Sequence, residues 1–341
     1  MNGYRVAVVG ATGAVGREVL RILAERAFPI AELRLLASPR SAGTRLDGRA
    51  VEAVSAERFE GLDLAIFDTP DEVAETWVPV AASRGLVAID NSAAFRMAEG
   101  VPLVIPEVNA HALEQMPRRI VANPNCTCAT IAVPLAALHR AAGLRKVIAC
   151  SYQSVSGAGQ RGTEQLWNEL RDTVTNARPP DRPGGRAFAH PIAMNVIPAI
   201  GSVHGTHTSE EVKVAAELRK MLGTPELAVG ITCVRVPTLV GHGVAVHAEF
   251  GRPLNPEEAT AVLEQAPGVT VVDEPVAARY PTALLAAGRD PCYVGRIRTD
   301  GAGTLAFFAA ADNLRKGAAL NAVQIAEHLA RRGLLRSSVR A

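Results

Sequence analysis

The chain has 341 residues, 48% of them hydrophobic and 21% charged, and its formal net charge is +2. A chain of this length has room for two domains and buries a substantial core, as soluble α/β enzymes do. Both signs of charge are scattered along it, which gives no reason to expect a nucleic-acid surface, and no apolar run reaches the roughly 20 residues that cross a membrane.

The first part of the chain alternates short apolar runs with helical periodicity. The apolar runs at residues 5–9, 33–37, 62–67 and 86–89 are predicted strands, and residues 72–82 have the spacing of a helix. Strands that alternate with helices are typical of a parallel sheet with right-handed crossovers. We therefore expect a doubly wound α/β arrangement here.

The pattern changes from about Ser151, where strands lie among longer helices. The predicted strands are residues 229–236, 244–250, 269–272, 293–297 and 304–309. The predicted helices are residues 163–173, 209–222, 256–265 and 316–332. This texture favours a second, α+β domain with a mixed or antiparallel sheet.

The cysteines and histidines indicate a reducing compartment and no metal. The five cysteines are an odd number without the spacing of a disulfide framework, so we expect a cytoplasmic location. Cys126 and Cys128 are too close together for a zinc site, which needs four suitably spaced ligands. His204 and His207 lie in a predicted loop without a set of carboxylates.

A glycine turn follows the first predicted strand and precedes a helix. Gly10, Gly13 and Gly16 would let the backbone approach a pyrophosphate, and the N-terminus of the next helix presents unpaired N–H groups. The spacing differs from the strict dinucleotide fingerprint, so the pattern alone leaves open a tight turn without a ligand.

The end of the second strand favours NADP over NAD. An NAD enzyme usually places an acidic residue there for the ribose hydroxyls, whereas this chain has Ser38, Arg40 and Ser41 and no acid. A guanidinium and two hydroxyls suit a 2′-phosphate. A solvated loop arginine is the alternative for Arg40.

Residues 123–128 are the strongest indication of a catalytic site in the sequence. An apolar stretch ends there and a helix begins, with Asn125 suited to cap it and Cys126 at its N-terminus. The positive end of a helix stabilises a thiolate, the nucleophilic form of cysteine. Cys128 is expected to pack on another face, and Pro134 to kink or restart the helix.

With this segment the chain resembles the aspartate-semialdehyde dehydrogenases. The resemblance implies an α/β fold with an N-terminal Rossmann-type NADP-binding domain (1–125 and about 312–341), an α+β catalytic and dimerisation domain (about 126–311), and a C-terminal helix that returns to the first domain. The segments that carry it occur in family order over essentially the whole chain and are residues 90–96, 106–109, 123–126, 152–159, 190–195, 235–242 and 312–319.

The implied activity is the NADPH-dependent reduction of L-4-aspartyl phosphate, with release of phosphate, to L-aspartate 4-semialdehyde through a cysteine thioester. That reaction serves the biosynthesis of lysine, threonine, methionine and isoleucine. The resemblance also implies small-molecule substrates and a homodimer or homotetramer.

The resemblance assigns roles to individual residues. Cys126 matches the nucleophile, His242 the general acid/base, and Gln153 the residue that orients the acyl group. The substrate-binding set comprises Arg235 for the carboxylate, Glu210 for the ammonium, and Arg96, Asn125 and Lys213 for the phosphate. The cofactor-binding set comprises Gly10, Thr12, Gly13, Ala14, Val15, Gly16, Ser38, Arg40, Ser41, Gly157 and Asn313.

The residues support part of this assignment independently. Glu210 and Lys213 are three apart on a predicted helix and share a face, although without the resemblance a surface ion pair is the favoured explanation of that spacing. Seven residues separate Arg235 from His242, which would put them on opposite faces of one strand. The resemblance places both residues in one site, and it therefore implies that Pro237 and Gly241 break the strand between them.

One segment departs from the family pattern. After the strand at 64–67 the chain has Asp68, Thr69, Pro70 and Asp71, where the family usually has Ser-Ala-Gly-Gly near the nicotinamide, and proline removes a backbone donor. This departure puts the cofactor contacts of that loop in doubt.

Two other functions compete with this one. N-acetyl-glutamyl-phosphate reductase shares the chemistry but not these substrate-binding contexts together. A non-catalytic NADP-binding paralogue has no need for Cys126, Gln153, Arg235 and His242 together.

Overall fold

The computed structural model describes residues 3–177, 185, 187–301 and 303–335. The chain divides into two compact units, one that runs to Asn125 and resumes at Ala318, and one that spans Cys126–Gly317. In chain order the strands of the described residues are β1 (Tyr4–Val9), β2 (Ile30–Ala37), β3 (Arg45–Leu46), β4 (Arg49–Ala53), β5 (Leu64–Phe67), β6 (Val87–Asp90), β7 (Ile120–Ala122), β8 (Leu144–Gln153), β9 (Val203–His204), β10 (His207–Thr208), β11 (Ala228–Arg235), β12 (His242–Phe250), β13 (Val269–Val271), β14 (Cys292–Thr299) and β15 (Leu305–Ala311). The α-helices are α1 (Ala14–Glu25), α2 (Asp71–Ser83), α3 (Pro106–Asn109), α4 (Cys126–Ala142), α5 (Gly159–Asn176), α6 (Ser209–Leu222), α7 (Pro256–Glu264), α8 (Ala283–Ala286) and α9 (Leu320–Arg331).

The first unit is built on a seven-stranded sheet with the order β3-β4-β2-β1-β5-β6-β7. All of its neighbouring pairs are parallel except β3 with β4, which confirms the predicted doubly wound arrangement. Helices α1 and α9 pack against each other, and the buried side chains of both belong to one hydrophobic cluster with β1, β2 and β5. The helix after Ala318 thus completes the core of this unit.

The second unit is built on a six-stranded mixed sheet with the order β11-β8-β12-β15-β14-β13. Strand β8 runs parallel to β11 and antiparallel to β12. Helix α4 packs against four of these strands, and α6 and α7 also pack on the sheet. The mixed sheet confirms the expected α+β character, and its inner strand β8 is an element that the apolar pattern did not reveal.

Three local predictions differ from the structure in detail. Helix α4 is not restarted at Pro134 but runs through it, because side chains buried without a gap from Thr127 to Leu138 offset the hydrogen bond that proline cannot make. The predicted helix at 316–332 begins with a π-helical turn, Arg315–Ala319, before α9. His204 and His207 lie opposite each other in the β9–β10 ribbon and not in a loop.

None of the helices in the described part of the chain is long and apolar enough to span a membrane.

Candidate active site

Three strand ends meet at one edge of the second unit's sheet. Strand β8 ends at Gln153, which pairs with Arg235 at the end of β11, and β12 begins at His242. Because β12 runs antiparallel to β8, with Gly243 opposite Tyr152, the start of β12 lies level with the end of β8. The predicted break between Arg235 and His242 is confirmed.

Cys126 lies against His242. Cys126 is the first residue of α4 and is half-buried, and its Sγ is 3.3 Å from Nε2 of the fully buried His242. A Cβ on Gly317 would lie 2.7 Å from Cys126 Cβ, so this position requires glycine. Burial, followed by the charge of Arg235, lowers the pKa of His242 to about 3, although the Gly241 peptide acts in the opposite direction. The imidazole is therefore neutral beside the thiol.

Gln153 and Glu210 are joined by a hydrogen bond in the same unit as Cys126 and His242. The Gln153 amide donates to Ser151 Oγ at 3.1 Å and to Glu210 Oε1 at 3.4 Å. Glu210 lies in the first turn of α6, which also carries Lys213, and Thr208 begins this helix with a capping box. The predicted helix, and with it the shared face of Glu210 and Lys213, is confirmed.

Arg235 is a buried cation with fixed neighbours. Its Nη1 donates to the Ser154 carbonyl at 2.7 Å, and its guanidinium lies 5.7 Å from the centre of the Phe188 ring. Burial lowers the pKa of Arg235, whereas Cys126 and Glu210 raise it. A buried guanidinium beside a nucleophile and a carboxylate can recognise a carboxylate ligand.

The other cysteines of the second unit differ from Cys126 in environment. Cys128, Cys233 and Cys292 are buried, in agreement with a packing role, and burial raises the pKa of Cys233 to about 12. Cys150 is half-buried on β8. Among the described residues, no three histidine, cysteine or acidic side chains form a group that could hold a metal ion.

Asn313 and Gly157 lie close to the ends of β8 and β11 and the start of β12. They belong to two other segments of the second unit. The Asn313 Oδ1 accepts hydrogen bonds from Ser154 Oγ at 3.0 Å and from the Gly241 N–H at 2.9 Å. A Cβ on Gly157 would lie 2.8 Å from Arg235 Nη1, so a larger residue there would displace the guanidinium. The sequence did not indicate Ser154 or Gly317 as site residues. Ser154 contributes its backbone peptide, and Gly317 leaves space for Cys126 because it has no side chain.

The glycine turn of the first unit fits a dinucleotide. Gly10 has φ +86, and a Cβ on it would collide with the Asp68 carbonyl, while a Cβ on Gly16 would collide with the Gly10 carbonyl. Gly13 is the N-cap of α1 and provides no side-chain hydrogen bond to it. The backbone amides of Ala14 and Val15 therefore begin a 12-residue helix at a close-packed turn, which is an arrangement that binds phosphate groups.

The turn after β2 carries the side chains that favoured NADP. Ser38 and Arg40 are exposed, and the Ser38 carbonyl accepts from the Ser41 N–H at 2.9 Å. The turn begins directly after Ala37, the last residue of β2, and β2 is the neighbour of β1 in the sheet. The Arg40 guanidinium is therefore accessible to an anion near the C-terminal end of β2.

The departure at 68–71 places the carboxyl of the half-buried Asp68 beside the glycine turn. A Cβ on Gly13 would lie 3.5 Å from Asp68 Oδ2. Burial raises the pKa of Asp68 to about 6, the nearby Asn91 and Gly16 amides lower it, and Asp90 raises it. Pro70 is the N-cap of α2, and Asp71 Oδ1 accepts from the Ala93 N–H at 2.9 Å.

We predict that Asp68→Asn stabilises the protein at pH 8 but not at pH 4. A raised pKa means that the folded state binds this proton more tightly, so the stabilisation is complete below the unfolded value and is lost as the pH rises through about 6. Removing this charge should raise the free energy of unfolding at pH 8 by about 2 kcal/mol. Urea unfolding at both pH values measures this, with Asp47→Asn on an exposed turn as the control. Equal effects of the two substitutions would contradict it.

The phosphate-binding candidates Arg96 and Asn125 belong to the first unit. The Arg96 guanidinium donates to the Asn123 carbonyl at 2.9 Å and to the Asn91 carbonyl at 2.8 Å. Asn125 is buried and directly precedes Cys126. Their contact with phosphate, and the capping of α4 by Asn125, stay predictions.

A dinucleotide-type sheet with a glycine turn, and a cysteine paired with a neutral histidine, are parts typical of a dehydrogenase that works through a thioester. Comparison with known proteins supports this class. Residues 5–116 match the family model described as the NAD binding domain of semialdehyde dehydrogenase, and residues 135–316 match its dimerisation domain. The chain is thus an NAD(P)-binding oxidoreductase that acts on an aldehyde.

Comparison with individual relatives identifies the family within this class of oxidoreductases. An aspartate-semialdehyde dehydrogenase of Streptomyces akiyoshiensis is 46% identical, with 96% of this chain and 98% of that protein covered. The crystal structure of aspartate semialdehyde dehydrogenase II from Vibrio cholerae superposes with a TM-score of 0.90 at 40% identity, with 96% of this chain and 99% of that chain covered. The chain belongs to the aspartate-semialdehyde dehydrogenase family. The Vibrio enzyme has also been solved in complex with ASA, at 39% identity and a TM-score of 0.90, with 97% and 99% covered.

Proposed function

We propose that the chain reduces L-4-aspartyl phosphate to L-aspartate 4-semialdehyde, with NADPH as the reductant and a thioester on Cys126 as the intermediate. The observation that carries the proposal is the Cys126 Sγ–His242 Nε2 contact of 3.3 Å beside Gln153, Arg235 and Glu210, in a chain of this family. These side chains supply a nucleophile, a proton donor and partners for a carboxylate and an ammonium group.

The covalent steps assign work to Cys126 and His242. The Cys126 thiolate attacks the carbonyl carbon of the acyl phosphate, the S–C bond forms, and the C–O bond breaks with phosphate leaving with the electron pair. The reduced dinucleotide supplies a hydride when it is bound. Cys126 then holds a thiohemiacetal, whose oxygen the Nε2–H of His242 stabilises. The C–S bond breaks, the aldehyde forms, and the thiolate returns.

Substrate recognition is assigned to the charged residues around this pair. Arg235 binds the α-carboxylate with its planar fork, Glu210 binds the α-ammonium, and Gln153 orients the acyl oxygen. Lys213 contributes to the binding of phosphate, as do Arg96 and Asn125.

The preference for NADP is proposed on the turn after β2. Ser38, Arg40 and Ser41 offer a cation and two hydroxyls, and no acidic residue follows β2 to hold a free 2′-hydroxyl. The glycine turn and the α1 N-terminus are assigned to the pyrophosphate. The roles of Thr12, Gly157 and Asn313 in this site stay predictions, as does the cytoplasmic location.

The reverse reaction tests the function. Purified chain should reduce NADP when L-aspartate 4-semialdehyde and phosphate are both present, and omission of phosphate should stop turnover. N-acetyl-glutamate semialdehyde is the control substrate, and NAD is the control cofactor. Faster turnover of the acetylated substrate would refute the proposed substrate, and absence of turnover with every pair would leave only a binding protein.

We also propose that the chain is a homodimer formed through the face of the second unit's sheet that α4, α6 and α7 do not cover. Ile148 and Tyr152 on β8 are 47% and 42% exposed there, a fraction unusual for large apolar side chains on an inner strand. Ile148→Arg should convert a species of twice the chain mass into a monomer in light scattering. Val212→Arg, at an exposed position of α6, is the control and should stay dimeric. A dimer that withstands Ile148→Arg would place the interface elsewhere.

A further inference from the structure

The peptide of Ser154 connects the two groups that flank Cys126. Its carbonyl accepts from Arg235 Nη1 at 2.7 Å, and its N–H donates to His242 Nδ1 at 3.2 Å. Ser154 directly follows β8 and is fully buried. One backbone unit thus contacts both the arginine and the imidazole.

A backbone N–H can only donate, so Nδ1 of His242 must present its lone pair to Ser154. The single proton of the neutral ring then lies on Nε2, which faces Cys126 Sγ. The Ser154 Oγ also lies 3.2 Å from Nδ1, and the Gly241 backbone is a further hydrogen-bonding neighbour of the ring. Protonation of Nδ1 would place two N–H groups against each other.

The side chain of Asn313 holds this arrangement in place. Its Oδ1 accepts from Ser154 Oγ and from the Gly241 N–H, which directly precedes His242, and its Nδ2 donates to Ser156 Oγ at 2.9 Å. Asn313 is 3% exposed, so these bonds form away from water. It therefore fixes both chain segments that contact the imidazole.

Charged and titratable groups from three elements lie near the ring, and of these Arg235 lowers the pKa of His242, whereas the Gly241 backbone raises it. Arg235 on β11 disfavours a second positive charge on His242. Cys126 on α4 faces Nε2, and Glu210 on α6 contacts Gln153 and not the imidazole.

We infer that Ser154 and Asn313 are positioning residues that hold His242 neutral with its proton on Nε2, so that it meets Cys126 and the reacting oxygen as a hydrogen-bond donor. The inference rests on the proposed function for the identity of that oxygen. In this state Nε2–H of His242 faces Cys126 Sγ, so it stabilises the thiolate form by donating a hydrogen bond to it. A neutral imidazole that polarises an oxygen in this way needs no change of charge during the reaction.

Nitrogen-15 NMR of the full chain labelled at its eight histidines tests the inference without substrate. The His242 signals are assigned by their loss in His242→Gln. We expect a pyridine-type Nδ1 and a pyrrole-type Nε2 that do not change between pH 8 and pH 5. A protonated Nδ1, or titration of the ring near pH 6.5, would overturn the inference.

The role of Asn313 is tested with a matched pair of variants. Asn313→Ala should mix the two tautomers in the NMR spectrum and change the pH dependence of Cys126 alkylation by iodoacetamide. Ser156→Ala removes a bond to Asn313 but no contact with His242, and should leave both unchanged. In the proposed assay, Asn313→Ala should lower kcat roughly tenfold or more with little change in KM.

Identical spectra for the two variants would overturn the positioning role. If Asn313→Ala does not fold, the tautomer in the unsubstituted chain still decides the inference. Because the spectra and the alkylation need no substrate, a failure of the proposed substrate is distinguishable from a failure of the tautomer assignment.

Discussion

Replacement of Cys126 by alanine is expected to lower kcat in the phosphate-dependent oxidation by at least about 10⁴-fold. The Sγ atom forms the covalent bond to the acyl group, and the other side chains near it are neutral or buried and cannot take over this bond. Cys126 is half-buried at the first position of α4, so alanine should leave the fold intact. Turnover and thermal unfolding of the same preparations measure both effects.

Cys128→Ala is the matched control for this experiment. It removes a thiol group two residues further along α4. The Cys128 side chain is fully buried, and its Sγ lies 3.8 Å from the Val214 carbonyl. We expect a stability loss of about 1 kcal/mol and almost unchanged turnover. Comparable loss of turnover in both variants would show that α4 packing, and not the Cys126 thiolate, had been disturbed.

The second large effect is expected from Arg235→Leu, which should lower kcat/KM by about 10³-fold. A bidentate contact with the substrate carboxylate provides two charge-assisted hydrogen bonds, each contributing about 1.5–3 kcal/mol. The substitution also leaves the Ser154 carbonyl without its 2.7 Å partner. Steady-state kinetics with the aldehyde as the varied substrate should show most of the loss in KM.

Two further substitutions separate charge from geometry. Arg235→Lys keeps the positive charge without the planar fork, and we expect it to recover only part of the lost kcat/KM. Arg252→Leu removes an exposed arginine of the same unit and should have little effect. If Arg235→Lys were as active as the unsubstituted chain, bidentate carboxylate recognition would be excluded.

Local signals in the sequence were sufficient for several elements. Helix α6 was predicted from its spacing with its observed bounds, which are the positions where the Thr208–Glu211 capping box begins the helix and the left-handed Gly223 ends it. The strands of the first unit's centre were predicted because they are buried on both faces, so they appear as continuous apolar runs.

Other features depend on contacts between distant parts of the chain. Strand β8 was missed because Ile148 and Tyr152 occupy its exposed positions, so the apolar–polar alternation that marks a strand is blurred. The proximity of Gln153, Arg235 and His242 depends on the strand order of the sheet. The Nε2–H form of His242 depends on a backbone N–H, which leaves no trace in residue type.

The interruption of the first unit between Asn125 and Ala318 has a consequence for biosynthesis of the chain. Leu320, Val323 and Leu329 of α9 are fully buried in the same cluster as Val6 and Val8 of β1. While the ribosome is still making residues 126–317, the nascent first unit lacks this helix and exposes apolar surface, whereas the second unit can already be complete. The segment synthesised first is therefore expected to acquire its stable fold last. Until α9 has been made, its exposed apolar surface is a binding site for a chaperone.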